Sequence, residues 1–330
     1  EDKNNGESIT FFEITTAAAF LAFSREKTDF TLIETGLGGK FDATNVIKKP
    51  KCCVLTPISM DHMNFLGPNI TSITKEKVGI IKKNSILVLS KQQNVVRNIV
   101  RKEVRKQNAV LYEEGIDWKI LKKDAKKFLL KFQNNNYEFS NPNLYGDHQI
   151  ENASVAIATV IATNIITDRI QMKINKGIKS VEWPGRMQRL SGGKISKKVE
   201  NKFELWIDGG HNIHASEMIA AEIENWNSSK IILVLGMVSG KDPIKFVKKI
   251  AHKISLLILL PIDDHQYIQP YEIKKKLIEK LSYNIQIETC LNIQEALDFI
   301  SKKITKGKIL ICGSLYLVGQ ILEEDGVKIN

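Results

Sequence analysis

In the second half of the chain, short apolar runs at residues 205–208, 231–236, 256–261 and 309–312 are separated by longer stretches of helical periodicity. These helical patterns begin near Asn212, Pro243, Pro270 and Ile293, and a last one begins at Leu315. Runs this short and continuously apolar read as strands buried on both faces, and their alternation with helices implies a parallel sheet between two helical layers. The pattern also fixes where to look for chemistry, because open α/β sheets bind ligands beyond the carboxyl ends of their strands.

The first half reads similarly, with one interruption. Thr10-Phe11-Phe12-Glu13 is a capping box, with Thr10 as N-cap and Glu13 at the third helical position, opening a helix through Phe23. Strands are expected at 30–34, 52–56 and 86–89, with helices over 72–82 and from about 149 to 166. Residues 117–140 switch to short alternating runs with Asn-rich turns, which predicts a small antiparallel insert. A boundary near 182–186 divides the 330 residues into a mostly parallel α/β domain at 1–183 and a Rossmann-like α/β domain at 184–330.

The formal net charge of +11 raises the possibility of a nucleic-acid partner. The densest basic stretch, 91–131, includes a helix whose Val95, Val96, Ile99, Val100 and Val104 should face a core, leaving Arg97, Arg101, Lys102, Arg105 and Lys106 as its solvated side. No aromatic residues interleave it as a stacking platform requires, so nucleic acid is not the expected partner. Four cysteines with no C-x-x-C pair give neither a disulfide framework nor a zinc knuckle. The longest apolar stretches, such as 254–262, fall far short of the ~20 residues that span a bilayer. The expectation is a reduced, cytoplasmic protein with no membrane partner.

Five polar motifs stand out, the third of them on a helix and the others near strand ends. Glu34-Thr35-Gly36-Leu37-Gly38-Gly39-Lys40-Phe41-Asp42-Ala43-Thr44-Asn45 combines an acidic residue with glycines that allow close backbone approach. A plain tight connection would give the same pattern. Thr56-Pro57-Ile58-Ser59-Met60-Asp61-His62 ends in a carboxylate–imidazole pair. If the strands before Glu34 and His62 are neighbours, these two side chains lie together as oxygen and nitrogen donors suited to magnesium or manganese. Lys75-Glu76-Lys77-Val78-Gly79 reads equally as a solvated charged turn. Trp183-Pro184-Gly185-Arg186 is followed by Asp208-Gly209-Gly210-His211-Asn212, either an anion-binding turn at a helix start or an Asn212 cap beside a solvated Asp208.

Taken in order, these segments resemble the folylpolyglutamate synthase and dihydrofolate synthase family of the Mur ligase superfamily. The matches are F-E-x-x-T at Phe12-Glu13, E-x-G-L-G-G-x-x-D-A-T-N from Glu34, D-H-x-x-x-L-G from Asp61 and E-K-x-G-I from Glu76. They continue with H-Q-x-x-N-A from His148, P-G-R from Pro184, D-G-x-H-N from Asp208 and G-S-L-Y-L-V-G from Gly313. The resemblance implies an ATP- and Mg2+-dependent ligase that joins L-glutamate to a folate or pteroate carboxylate through an acyl phosphate. It implies that Glu34, His62 and Lys77 serve the metal, Lys77 as a carbamylated lysine, with His62 and Lys77 in the catalytic set. It assigns Asn152, Arg186, Asp208 and His211 to the nucleotide, although Asn152 could instead only pack its helix. Lys241 and Ser314 are expected at the amino-acid substrate.

Three departures stand out. The D-G-x-H-N segment has Gly210 and lacks the following proline, and Ser239-Gly240-Lys241-Asp242 is off pattern. The third is a missing P-loop, G-x-x-x-x-G-K-[ST], since Gly39-Lys40 precedes Phe41 and Gly240-Lys241 precedes Asp242. The chain also opens Glu1-Asp2-Lys3 without methionine. The expectation is an N-terminally truncated ATPase domain, inactive alone, with a separately encoded P-loop segment as a candidate partner. The alternatives are a non-catalytic remnant and a basic nucleic-acid-binding protein on the same scaffold.

Overall fold

A computed structural model describes residues 6–226, 230–263, 265–281 and 285–327, so the opening Glu1–Lys3 lies outside the described residues. The chain forms two compact units, residues 1–121 with 130–137 and 155–167, and residues 122–129 with 138–154 and 168–330.

In the first unit, α1 (Phe11–Arg25) starts at the predicted capping box, with the Thr10 hydroxyl accepting from the Glu13 N–H and the Glu13 carboxylate accepting from the Thr10 N–H. None of its residues is buried, and Phe11 is 83% exposed. Then follow β1 (Cys53–Leu55), α2 (Met63–Leu66), α3 (Ile70–Lys77) with a 3-10 turn over Val78–Ile80, β2 (Ile86–Leu89), α4 (Asn94–Gln107) and β3 (Val110–Glu113). The strands form a parallel sheet in the order β1-β2-β3. Its core joins Leu55, Leu87 and Leu89 to Ile73 of α3 and to Val96, Val100 and Val104 of α4.

Three expectations are corrected here. Residues 30–34 form no strand: they pair with nothing among the described residues, and Leu32 is 92% exposed. An apolar run becomes a strand only when a ladder partner takes up its backbone groups, and among the described residues β1 has none on its outer side. Val95 is exposed rather than in the core. Arg97 and Arg101 both bind Glu113, a buried carboxylate at the end of β3, so part of the basic face is paired rather than solvated.

The predicted insert is β4 (Trp118–Lys123), β5 (Lys127–Phe132) and β6 (Asn135–Ser140), a three-stranded sheet in that order. Links this short permit only antiparallel neighbours. Helices α5 (Asp147–Ala162) and α6 (Asp168–Ser180) follow.

The second unit holds β7 (Gln188–Leu190), α7 (Ser196–Val199), β8 (Phe203–Ile207), α8 (Ile213–Glu224), β9 (Ile231–Leu235), α9 (Pro243–Ile250) and β10 (Leu256–Leu259). It continues through α10 (Pro270–Lys280), β11 (Gln286–Thr289), α11 (Ile293–Lys303), β12 (Gly307–Cys312) and α12 (Leu315–Asp325). The sheet order is β11-β10-β9-β12-β8-β7, parallel except for β7. Each helix start expected for this half is found. The edge strands β7 and β11 escaped the reading because three or four residues with one buried side chain carry too little pattern.

The sheet order creates the binding geometry. β12, last in the chain, lies between β8 and β9. Ile219 and Ile223 of α8 pack with α9 and α10 in one core, while Leu317, Val318, Ile321 and Leu322 of α12 pack with α11 in the other. The helices leaving neighbouring strands β8 and β12 therefore diverge to opposite faces. This is the topological switch at which open α/β sheets form a crevice.

Candidate functional site

In the second unit, the switch point collects the P-G-R, D-G-x-H-N and G-S-L-Y motifs. Asp208 follows β8, and its carboxylate accepts from the Met187 N–H at 2.8 Å and the Gly210 N–H at 2.7 Å. It is buried, and desolvation pushes its pKa up against those hydrogen bonds and the nearby Arg186 and His148. Asp208 is thus not the solvated acid one reading allowed. Asn212 is nonetheless the N-cap of α8, accepting from the Ala215 N–H at 2.9 Å.

The Gly209 N–H donates to the Gly185 carbonyl at 2.8 Å, which brings the two motifs together. A Cβ on Gly209 would lie 2.2 Å from the Leu315 side chain and 3.0 Å from the Arg186 guanidinium, so both side chains lie against the turn. His211 Nδ1 is 3.0 Å from the Gly209 carbonyl. A carbonyl only accepts, so Nδ1 carries the proton. The Gly313 N–H donates to Gly210 O at 2.9 Å and joins the turn to the start of α12. There Ser314 is the buried N-cap, its hydroxyl accepting from the Tyr316 N–H. Lys241 is half-buried, just before the α9 cap Asp242. Asn152 is exposed on α5 and donates to Gln149 Oε1 at 3.1 Å.

In the first unit, the glycine-rich loop packs on the end of α3. The Asp42 carboxylate closes the loop by accepting from the Leu37 and Thr44 N–H groups. The Lys40 N–H donates to Glu76 O at 2.8 Å, and Asn45 Nδ2 donates to both Lys40 O and Gly79 O at 3.1 Å. Gly79 permits this contact, since its Cβ would lie 2.5 Å from Lys40 Cα. Two motifs separated in sequence are one structural piece, a linkage the sequence reading missed.

Lys77 sits at the end of this piece. It is half-buried rather than solvated, and desolvation lowers its pKa while the Asp61 carboxylate opposes the shift. His62 has a left-handed backbone, φ 50°, with its imidazole exposed and 4.0 Å from the Asp61 carboxylate. Glu34 is exposed on the unpaired segment, so the neighbouring-strand argument for placing it beside His62 fails. Among the described residues, no group of three or more His, Cys, Asp or Glu side chains is arranged to hold a metal. Asp61 and His62 still offer an oxygen and a nitrogen donor at the end of β1. Mg2+ commonly uses one or two carboxylates and completes its shell with water and substrate phosphate, so this donor set fits.

Comparison with known proteins finds a family match in each half of the chain. Residues 3–160 match the Mur ligase middle domain, and residues 191–324 match the C-terminal domain of dihydrofolate synthetase. The dihydrofolate synthase/folylpolyglutamate synthase of Bacillus subtilis is 30% identical over 328 residues, covering 94% of this chain and 71% of that protein. The dihydrofolate synthetase of Saccharomyces cerevisiae is 26% identical, over 97% and 77%. The Mycobacterium tuberculosis folylpolyglutamate synthase complexed with ADP and AMPPCP superposes with a TM-score of 0.86 at 23% identity, over 100% of this chain and 76% of that one. Escherichia coli FolC in complex with DHPP and ADP gives 0.82 at 22% identity, over 98% and 72%. The chain belongs to the dihydrofolate synthase/folylpolyglutamate synthase family of the Mur ligase superfamily.

Proposed function

We propose that the chain is the catalytic body of an ATP-dependent ligase that adds L-glutamate to a folate carboxylate, with dihydropteroate as a second acceptor, in the cytoplasm. The observation that carries this reading is the turn after β8, where the Arg186 guanidinium lies against a backbone turn anchored by the buried Asp208. Residues 184–330 form the glutamate-ligase domain and residues 1–183 the ATPase domain. The relatives' complexes with ADP and DHPP support the substrate classes.

The reaction brings a carboxylate against the γ-phosphate, two anions, and releases ADP as the acyl phosphate forms. The glutamate amine then attacks the acyl carbon and phosphate leaves. Arg186 neutralises phosphate charge, and Asp208, Asn152 and His211 orient the nucleoside. Lys241 and the α12 start at Ser314 receive the glutamate carboxylate. Asp61 and His62 would hold Mg2+, with Glu34 and a carbamylated Lys77 as the further ligands that the family resemblance implies, and the ion would supply charge neutralisation at the transferring phosphoryl group. Partial burial supports the amine form of Lys77, whose lone pair can attack CO2 and lose a proton to give the carbamate.

The 330 residues contain no P-loop, and losing a single transition-state donor already costs ~10²–10³ in rate. The proposal therefore includes slow turnover by this chain alone and recovery when a polypeptide bearing that loop is added. Phosphate release is measured with ATP, tetrahydrofolate or dihydropteroate, and glutamate, with and without the added segment. Rapid turnover by the chain alone overturns the dependence. Absence of turnover in both arms, with no ADP binding, overturns the ligase reading.

A further inference from the structure

Glu222 is a buried carboxylate that the reaction above does not use. It is 6% exposed on α8, unlike Glu217 and Glu224 of the same helix, which pair with Lys249 and with His252 and Lys253 at the surface. Glu222 Oε1 accepts from the Asp147 N–H at 3.1 Å, across 75 residues of sequence, and lies 3.6 Å from His148 Nδ1. Asp147 is the first residue of α5, so its N–H has no acceptor within its own helix. Glu222 supplies that acceptor from another helix and places negative charge at the positive end of the α5 dipole.

The surroundings are built to this contact. Gln149 Nε2, which can only donate, is 3.0 Å from His148 Nε2. That nitrogen accepts, so the ring proton is on Nδ1, the side facing Glu222. Gly146 has φ 106°, and a Cβ there would lie 2.5 Å from Glu222 Oε1 and 2.6 Å from His148 Cε1. Tyr145 packs on Trp206 of β8 with ring centroids 4.9 Å apart. Strand β8 leads directly into Asp208, near which His148 lies.

We propose that Glu222 is a positioning residue for nucleotide binding. It fixes the first turn of α5, so that Gln149 and Asn152, joined by their own hydrogen bond, are held in register with the Asp208–Arg186 turn. The proposal rests on the assignment of Asn152, Arg186 and Asp208 to the nucleotide.

The test uses the full chain with Mg-ADP as probe, measuring amide exchange at residues 146–150 and the ADP Kd by calorimetry. Glu222→Ala removes a charged acceptor, whose loss is worth roughly tenfold or more. Exchange at Asp147 and the ADP Kd should both rise by about that factor. Glu222→Gln keeps an accepting oxygen and stays within about threefold of wild type on both measures. Glu217→Ala, at the surface of the same helix, changes neither. If Glu222→Ala does not fold, Gly146→Ala displaces the same turn from the other side and is held to the same pair of readouts. Faster exchange with unchanged ADP affinity, while Arg186→Ala weakens ADP, overturns the positioning role. Weaker ADP binding with unchanged exchange overturns it too. If the wild-type chain binds no ADP even with the P-loop-bearing polypeptide added, the nucleotide assignment has failed and the proposal with it, and the exchange data then report only on the cap.

Discussion

Gly79→Ala separates packing from backbone strain at the joint between the glycine-rich loop and α3. Gly79 is not in the left-handed region, so alanine suits its backbone. The added Cβ would nevertheless lie 2.5 Å from both Cα and Cβ of Lys40, about 1 Å inside ordinary carbon–carbon contact. Two responses are open to the protein. If the loop stays, overpacking costs about 1–3 kcal/mol. If it lifts, it loses the Lys40 N–H to Glu76 O bond and the Asn45 bridge to Gly79 O, about 1 kcal/mol each. The cheaper route sets the cost near ~2 kcal/mol, a factor of about 30 in the opening equilibrium. Amide exchange at Lys40 should therefore rise about 30-fold, while amides of β2 change only with global stability. Unchanged exchange at Lys40 with a wild-type denaturation midpoint refutes the contact. Equal loss of protection at Lys40 and in β2 refutes its local character.

Asn45→Asp keeps the shape but cannot donate to Lys40 O and Gly79 O, so it should lower the urea midpoint more than Asn45→Ala does. Lys77 has a lowered pKa in the folded state, so folding disfavours its ammonium form and stability rises with pH toward the unfolded value of 10.5. Lys77→Met in CO2-free buffer should stabilise the protein at pH 7, with the gain shrinking toward pH 10.5, as followed by urea titrations at several pH values. Asp208 has a raised folded pKa, so its contribution is fully present below the unfolded value of 3.8 and is lost as pH rises through the folded value. Asp208→Asn should flatten that decline in pH-dependent melting. Removing Arg97 or Arg101 alone leaves Glu113 one partner, and each change costs about 1 kcal/mol. The double variant leaves a buried charge unpaired and should exceed the sum in a double-mutant cycle.

Local and periodic signals were enough for much of the fold. The box at Thr10 and Glu13, the caps Asn212 and Ser314, and the proline starts at Pro243 and Pro270 each act within one helical turn, so a linear reading finds them. The apolar strands β8, β9, β10 and β12 are legible because both faces are buried and no alternation competes. The motif order also indicated the family, and the same order placed the polar residues at strand ends. Neighbourhood is what the sequence left open. Whether residues 30–34 pair depends on a partner strand, and their own composition is the same either way. Asp208 is buried where the Met187 segment meets the turn after β8, a contact from 21 residues earlier in the chain. Lys77 is half-buried because a loop nearly forty residues earlier lies against its helix, and Glu222 because the start of α5 comes to it across 75 residues. The insertion of β12 between β8 and β9 sends α8 and α12 to opposite faces, the switch at which open α/β sheets bind ligands. Strand order is a choice among sheet pairings that single-strand patterns leave equivalent, and only burial against the rest of the chain resolves it.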